Sequence, residues 1–94
     1  MATVELKVTD NGHSYVITAD GVQAGLAAYR RREDRVVFTH TEIDPAFEGH
    51  GVGSALAKAA LDDVRAKGLK AVPLCPFIRT WIDRHPDYED LVAT

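Results

Sequence analysis

Three alternate glycines, Gly49, Gly51 and Gly53, separate two halves of the chain that carry different hydrophobic periods. Before them, apolar and polar residues alternate as in strands. After them, apolar residues recur at the 3.6-residue spacing of a helix. The segment Glu48-Gly49-His50-Gly51-Val52-Gly53-Ser54 is therefore a strand-to-helix turn in which the backbone can approach a ligand closely, because no Cβ stands in the way. The first N–H groups of the helix have no partner within it and point outward. The helix dipole adds partial positive charge at the same place. A turn of this kind can hold a phosphate. It can equally serve only for a tight turn and close packing of helix on sheet, and the glycines alone do not choose between these.

The half before the glycines predicts four strands. Val4–Thr9 sets Val4, Leu6 and Val8 against Glu5, Lys7 and Thr9, the pattern of a half-buried strand. Asn11-Gly12 and Asp20-Gly21 are hairpin signals, since both pairs accept positive φ. Between and after them lie Ser14–Ala19 and Val22–Arg31. Strict alternation would place Val22, Ala24, Leu26 and Ala28 on one face of the third strand, with Ala27 and Tyr29 on the other. Glu33-Asp34 makes a third turn, and Arg35–Ile43 returns around Val36-Val37-Phe38. Consecutive strands with short turns predict an antiparallel meander.

Asp44-Pro45 ends that run. From Gly51 to Lys67, Gly53, Leu56, Ala57, Ala60, Leu61 and Val64 share one helical arc, while Ser54, Lys58, Asp62 and Arg65 face away. Lys58 with Asp62, and Asp63 with Lys67, are spaced to pair. Gly68 stands where a helix stops. Leu69–Pro73 reads as a short strand, so strand, helix and strand imply a crossover and parallel pairing. Pro76 suits a helix start, and His85-Pro86 ends that helix. The expected class is α+β: an antiparallel meander followed by a helix, a short parallel strand and a C-terminal helix.

Ninety-four residues suggest one domain, 1–94, near the lower limit of what one core can stabilise. A net charge of −3 gives no electrostatic reason to expect nucleic acid. Arg30-Arg31-Arg32 is followed at once by Glu33-Asp34 and reads as a solvated strand end. A lone cysteine, Cys75, forbids an internal disulfide and suits a reducing compartment. No signal-peptide pattern opens the chain, and no apolar run approaches the ~20 residues that span a bilayer. These features point to the cytoplasm, without a membrane partner. The histidines are scattered, and no zinc spacing occurs.

Two phosphate motifs can be eliminated. A P-loop requires Gly-Lys-Ser/Thr, but Gly53 is followed by Ser54-Ala55. A dinucleotide fingerprint follows a first strand in a much longer α/β chain. The remaining pattern resembles motif A of the GCN5-related N-acetyltransferases: Gln or Arg, two residues, Gly, one residue, then Gly or Ala. Glu48 departs from it, and its carboxylate would repel a pyrophosphate. The resemblance therefore implies that backbone N–H groups of Gly49, His50, Gly51, Val52, Gly53 and Ser54 hold acetyl-CoA. It also implies that the pantetheine arm lies along His40–Ile43, with Thr41 and Ile43 beside it. His40-Thr41-Glu42, Leu74-Cys75-Pro76-Phe77 and His85-Pro86-Asp87-Tyr88, in this order, extend the likeness over Ser14 to Leu91. They resemble small single-domain members that have the acetyltransferase core but lack the first helices, which usually build the acceptor side.

Acetyl transfer to an amine needs a base, a donor to the carbonyl oxygen and a proton for the departing thiolate. Cys75 would stand at a helix N-cap, where a thiolate is stabilised. It could accept the acetyl group, or it could be a small buried hydrophobe. His40 and Glu42 lie two residues apart on one strand face. His40 could relay a proton or only cap the sheet, and Glu42 could orient it or act as base. Phe77 could border the cofactor groove, as could Trp81 and Asp83-Arg84, although Trp81 and Tyr88 suit packing. His85 suits an anchor for the C-terminal turn. The expected activity is acetyl-CoA-dependent N-acetylation of an unidentified small-molecule or peptide amine. The alternative is a non-catalytic acyl-CoA binding module or interaction domain. An open acceptor groove could be completed by a protein surface or by a second subunit in a homodimer.

Overall fold

The structure is a computed structural model and describes residues 4–49 and 51–93. Five strands form one sheet in chain order: β1 (Leu6–Asp10), β2 (Ser14–Ala19), β3 (Val22–Arg32), β4 (Arg35–Ile43) and β5 (Lys70–Pro73). The first four pair antiparallel. β5 joins β4 in parallel after the crossover helix α1 (Val52–Ala66). α2 (Pro76–Asp83) follows, and short 3-10 turns occupy Pro45–Phe47 and Pro86–Leu91. The meander, crossover and C-terminal helix agree with the expected order.

Local chemistry accounts for the joints. Asp20 and Gly21 have φ of 50° and 83°, so both central residues of the β2–β3 turn lie in the region that a type I′ hairpin requires. After α1, Gly68 adopts φ 69°, which lets the Leu69 N–H donate to the Val64 carbonyl. Lys58–Asp62 and Lys67–Asp63 pair at 2.7 and 2.8 Å along the outer surface of α1.

Both helices lie on one face of the sheet. Tyr15, Ile17, Ala27, Tyr29, Val36, Phe38 and Ala71 form the sheet side of the core. α1 buries Val52, Leu56, Ala57, Ala60, Leu61 and Val64, and α2 buries Ile78, Trp81 and Ile82. The alternate strand residues Val16, Leu26, Ala28, Val37 and Val72 remain only half-buried. The molecule thus has two layers and one bare sheet face.

Two bulges alter the faces that alternation predicts. Ile17 pairs with Gly25 but Thr18 pairs with Gln23, which leaves Ala24 as an extra residue. Ala24 and Ala27 are therefore both buried, although alternation assigns them to opposite faces. Tyr29 pairs with Phe38 but Ala28 pairs with His40, so Thr39 is the extra residue of β4. β1 also differs from expectation. It starts at Leu6, Val4 and Leu6 are exposed, and only Val8 packs on the core. β1 is the edge strand of the sheet, and its Asp10 pairs with Lys67 just past α1 at 3.1 Å.

Candidate functional site

Gly51 is the N-cap of α1 in the left-handed conformation, with φ 74°, and among the described residues no side chain caps the helix. The first helical bond runs from the Ala55 N–H to the Gly51 carbonyl at 3.0 Å. The N–H groups of Val52, Gly53 and Ser54 therefore have no partner within the helix. Gly49 has φ 83°, and a Cβ on Gly49 or Gly51 would meet no described atom within 4 Å beyond its chain neighbours. At Gly53 a Cβ would stand 2.6 Å from Phe77 Cζ. The three glycines thus have two roles: the first two leave open space over the turn, and the third lets α2 approach α1. His50 lies outside the described residues.

A groove of about 460 Å³ runs over this turn. Glu48, Gly49, Gly51, Val52, Gly53 and Ser54 form one wall, and Thr41, Ile43, Phe47 and Phe77 complete it. Of the residues expected from sequence, all the described turn residues, Thr41, Ile43 and Phe77 come together here. Glu48 is exposed, so its carboxylate can stay in water.

The split between β4 and β5 opens the end of the groove. Their pairing stops at Phe38–Pro73. The Cys75 N–H then donates to the Phe38 carbonyl at 3.0 Å. Beyond it, Thr39–Ile43 has no strand neighbour on that side among the described residues. Cys75 is the N-cap of α2, as expected, but it is only 3% exposed. Its Sγ shares a 3.0 Å hydrogen bond with Thr41 Oγ1. The thiol therefore stands behind Thr41 and does not line the groove.

His40 and Glu42 do share a face, but it is the bare face, opposite Thr41 and Ile43. His40 Nε2 lies 3.2 Å from Glu42 Oε1, with both side chains exposed. A second groove, of about 660 Å³, includes Gln23, Leu26, Glu42 and Asp44 and shares Thr41 and Ile43 with the first. Sequence reading passed over Gln23, Leu26 and Asp44. The Asp44-Pro45 breaker marked the place without identifying a groove. Asp44 is fixed there because its N–H donates to Ala24 and its carboxylate accepts from the Ala46 N–H.

A third cavity, of about 610 Å³, lies between α1 and α2. Trp81 Nε1 donates to Ser54 Oγ at 2.9 Å and so ties the glycine turn to α2. The His85 ring stacks on Trp81, with centroids 3.8 Å apart. Its Nδ1–H donates to the Trp81 carbonyl at 2.7 Å, which anchors the C-terminal turn. Arg84 also lines this cavity. Asp83 instead pairs with Arg79, one helical turn away.

A glycine turn at a helix start, beside a strand whose neighbour has peeled away, is an arrangement that can be compared with known proteins. A sequence profile of the GCN5-related N-acetyl-transferase family matches residues 14–91. The chain belongs to the GCN5-related N-acetyltransferase family. Protein NATD1 of Xenopus tropicalis is 43% identical over 47 residues, covering 50% of this chain and 43% of that protein. Protein NATD1 of Homo sapiens is 43% identical over the same length, covering 42% of its own length. The aligned part is thus less than half of these curated relatives. The solution structure of a GCN5-like protein from Staphylococcus aureus matches with a TM-score of 0.73 and 23% identity, over 94% of this chain and 88% of that one. The Escherichia coli ribosomal-protein-S18-alanine N-acetyltransferase matches with a TM-score of 0.59 and 21% identity, over 66% of this chain and 41% of that one. Identities this low show a shared fold. Among the described residues, no helix is long and apolar enough to cross a membrane, and no three side chains gather as metal ligands.

Proposed function

We propose that this family member is an acetyl-CoA-dependent N-acetyltransferase. The observation that carries the reading is the meeting of two grooves at Thr41 and Ile43, one over the glycine turn and the other holding Glu42. Two substrates approaching from opposite sides of β4 would meet there. The turn suits the pyrophosphate of acetyl-CoA, because the N–H groups of Val52, Gly53 and Ser54 lack partners within the helix and the space beside Gly49 and Gly51 is open. The unpaired edge of β4 past Phe38 suits the pantetheine arm, which can hydrogen-bond to a strand edge.

The thioester supplies an activated acetyl group. An amine in the second groove, held as a cation by Glu42 and Asp44, must lose a proton before its lone pair can attack the carbonyl carbon. Glu42, backed by His40 at 3.2 Å, is placed to take that proton directly or through water. Attack forms the C–N bond, and the C–S bond then breaks. Thr41, bonded to Cys75, is placed to donate toward the departing sulfur. Because Cys75 is buried behind Thr41, the reading is direct attack by the amine, without an acyl-cysteine. A single buried thiol also suits a reducing, cytoplasmic setting.

The test combines calorimetry and mass spectrometry. CoA and acetyl-CoA should bind, and acetylated product should form from at least one member of a panel of amines. Glu42→Gln should lower kcat roughly 10²- to 10⁴-fold, the usual contribution of a general base, with CoA affinity unchanged. Binding without transfer to any amine would leave a non-catalytic acyl-CoA binding module. No binding of either CoA species would overturn both readings.

A further inference from the structure

The bare face of the sheet has a charge gradient that bears on what the acceptor is. Residues directly opposite in antiparallel strands share a face. Leu26 stands opposite Glu42, Ala28 opposite His40, Arg30 opposite Val37, and Arg32 opposite Arg35. Along β3 successive rows are two residues apart, or about 7 Å, and the bulge at Thr39 adds one residue on β4 between His40 and Val37. Descending from the second groove, the face therefore presents a carboxylate, an imidazole and then two rows of guanidinium groups. Arg30, Arg32 and Arg35 are all exposed. Arg35 Nε lies 3.7 Å from Asp34, while no described carboxylate comes within ion-pair distance of Arg30 or Arg32. This basic zone stands out because the whole chain carries −3. Leu26 beside Glu42 and Val37 beside Arg30 are half-buried and offer apolar contact along the path.

We propose that this face selects the acceptor. The amine is carried by an extended acidic polypeptide segment that lies along the bare face, with carboxylates two to four residues from the amine meeting Arg30 and Arg32. This inference rests on the acetyltransferase reading for the position of the amine. The spacing follows from the rows. With the amine beside Glu42 and His40, Arg30 lies one row beyond His40 and Arg32 two, about 7 and 14 Å. Extended chain rises about 3.3 Å per residue, so those distances correspond to two and four residues. The polarity is complementary as well: Glu42 and Asp44 meet a cationic amine, and the arginines meet the anionic flank.

The test uses the CoA-saturated protein and labelled peptides with one lysine. One set has glutamate two and four residues from the lysine, and the other has glutamine there. Anisotropy gives binding and mass spectrometry gives acetyl transfer. The glutamate peptide is expected to bind roughly three- to tenfold more tightly, as two exposed ion pairs allow. The preference should vanish at about 1 M salt, where the screening length is about 3 Å. It should also vanish in Arg30→Gln/Arg32→Gln, which keeps the CoA affinity and melting temperature of the unaltered protein. Equal binding of the two peptides, a preference that survives the double substitution, or tighter binding of transfer RNA than of the glutamate peptide would each overturn the inference. Acetylation of small amines with no peptide preference refutes this inference and leaves the acetyltransferase reading standing. An arginine-dependent preference with no transfer to either peptide or to any amine of the panel upholds the acidic docking face and refutes the acetyltransferase reading.

Discussion

Gly51 and Gly68 stand at opposite ends of α1 with nearly the same strain, φ 74° and 69°, and a Cβ on either would meet no described atom within 4 Å beyond its chain neighbours. Alanine at either position therefore pays only for a left-handed backbone, about 1–2 kcal/mol. For a domain of this size each kcal/mol lowers Tm by about 4–8 °C, so Gly51→Ala and Gly68→Ala should melt about 4–16 °C below the unaltered protein. Gly51→Asn should lose less, because asparagine tolerates this conformation. The ligand separates the two ends. Adding CoA at 100 times its dissociation constant should stabilise the unaltered protein and Gly68→Ala by about 2.7 kcal/mol. At the same concentration, a tenfold weaker site in Gly51→Ala or Gly51→Asn would gain only about 1.4 kcal/mol. Thermal melts with and without CoA measure both effects. If Gly51→Asn melts no higher than Gly51→Ala, backbone strain is not what glycine relieves there. If both Gly51 variants gain as much from CoA as Gly68→Ala does, the turn is not the pyrophosphate site.

Besides Gly53, Gly25 has a steric role: a Cβ there would lie 2.7 Å from the Glu42 carbonyl oxygen and from Ile43 Cδ1. Gly25→Ala should cost about 1–3 kcal/mol as overpacking against backbone, and a denaturation midpoint equal to that of the unaltered protein would refute the contact. Trp81 is the sole tryptophan and its indole N–H donates to Ser54. CoA should change its fluorescence, and Trp81→Phe should lose roughly 1 kcal/mol for the bond; a spectrum indifferent to saturating CoA would place the ligand elsewhere. Burial and a hydrogen bond to Asp10 push the Tyr29 phenol up to about 12. A raised value means that the folded state holds the proton more tightly. Its contribution is then full below the ordinary value near 10 and is lost as pH rises from about 10 to 12. Alkaline unfolding should be less steep over that window in Tyr29→Phe, and identical pH profiles would refute the coupling.

The element order was legible because it rests on short-range patterns. Asp20-Gly21 imposes its own positive φ values, the apolar arc from Leu56 to Val64 repeats at the helical period, and Gly68 and Pro76 mark ends that their backbones favour. The glycine turn was legible for the same reason, as were its neighbours Thr41 and Ile43 through resemblance. The faces of β3 and β4 were not. A bulge adds one residue without a composition signal, so nothing local announces that Ala24 joins Ala27 in the core or that Thr39 resets β4. The fate of Cys75 was equally out of reach: its N-cap position follows from Pro76, but its burial depends on Thr41, thirty-four residues away.

By itself, the sequence determined a meander, a crossover helix and a glycine turn between strand and helix, because residues close along the chain suffice for each. Only the tertiary structure decided that the glycine turn and Glu42 address one strand from two sides. It alone lined up Arg30, Arg32 and Arg35 on the face that holds Glu42. Those relations depend on strand register and on which way β4 turns after Thr39, and pairing between distant segments sets both.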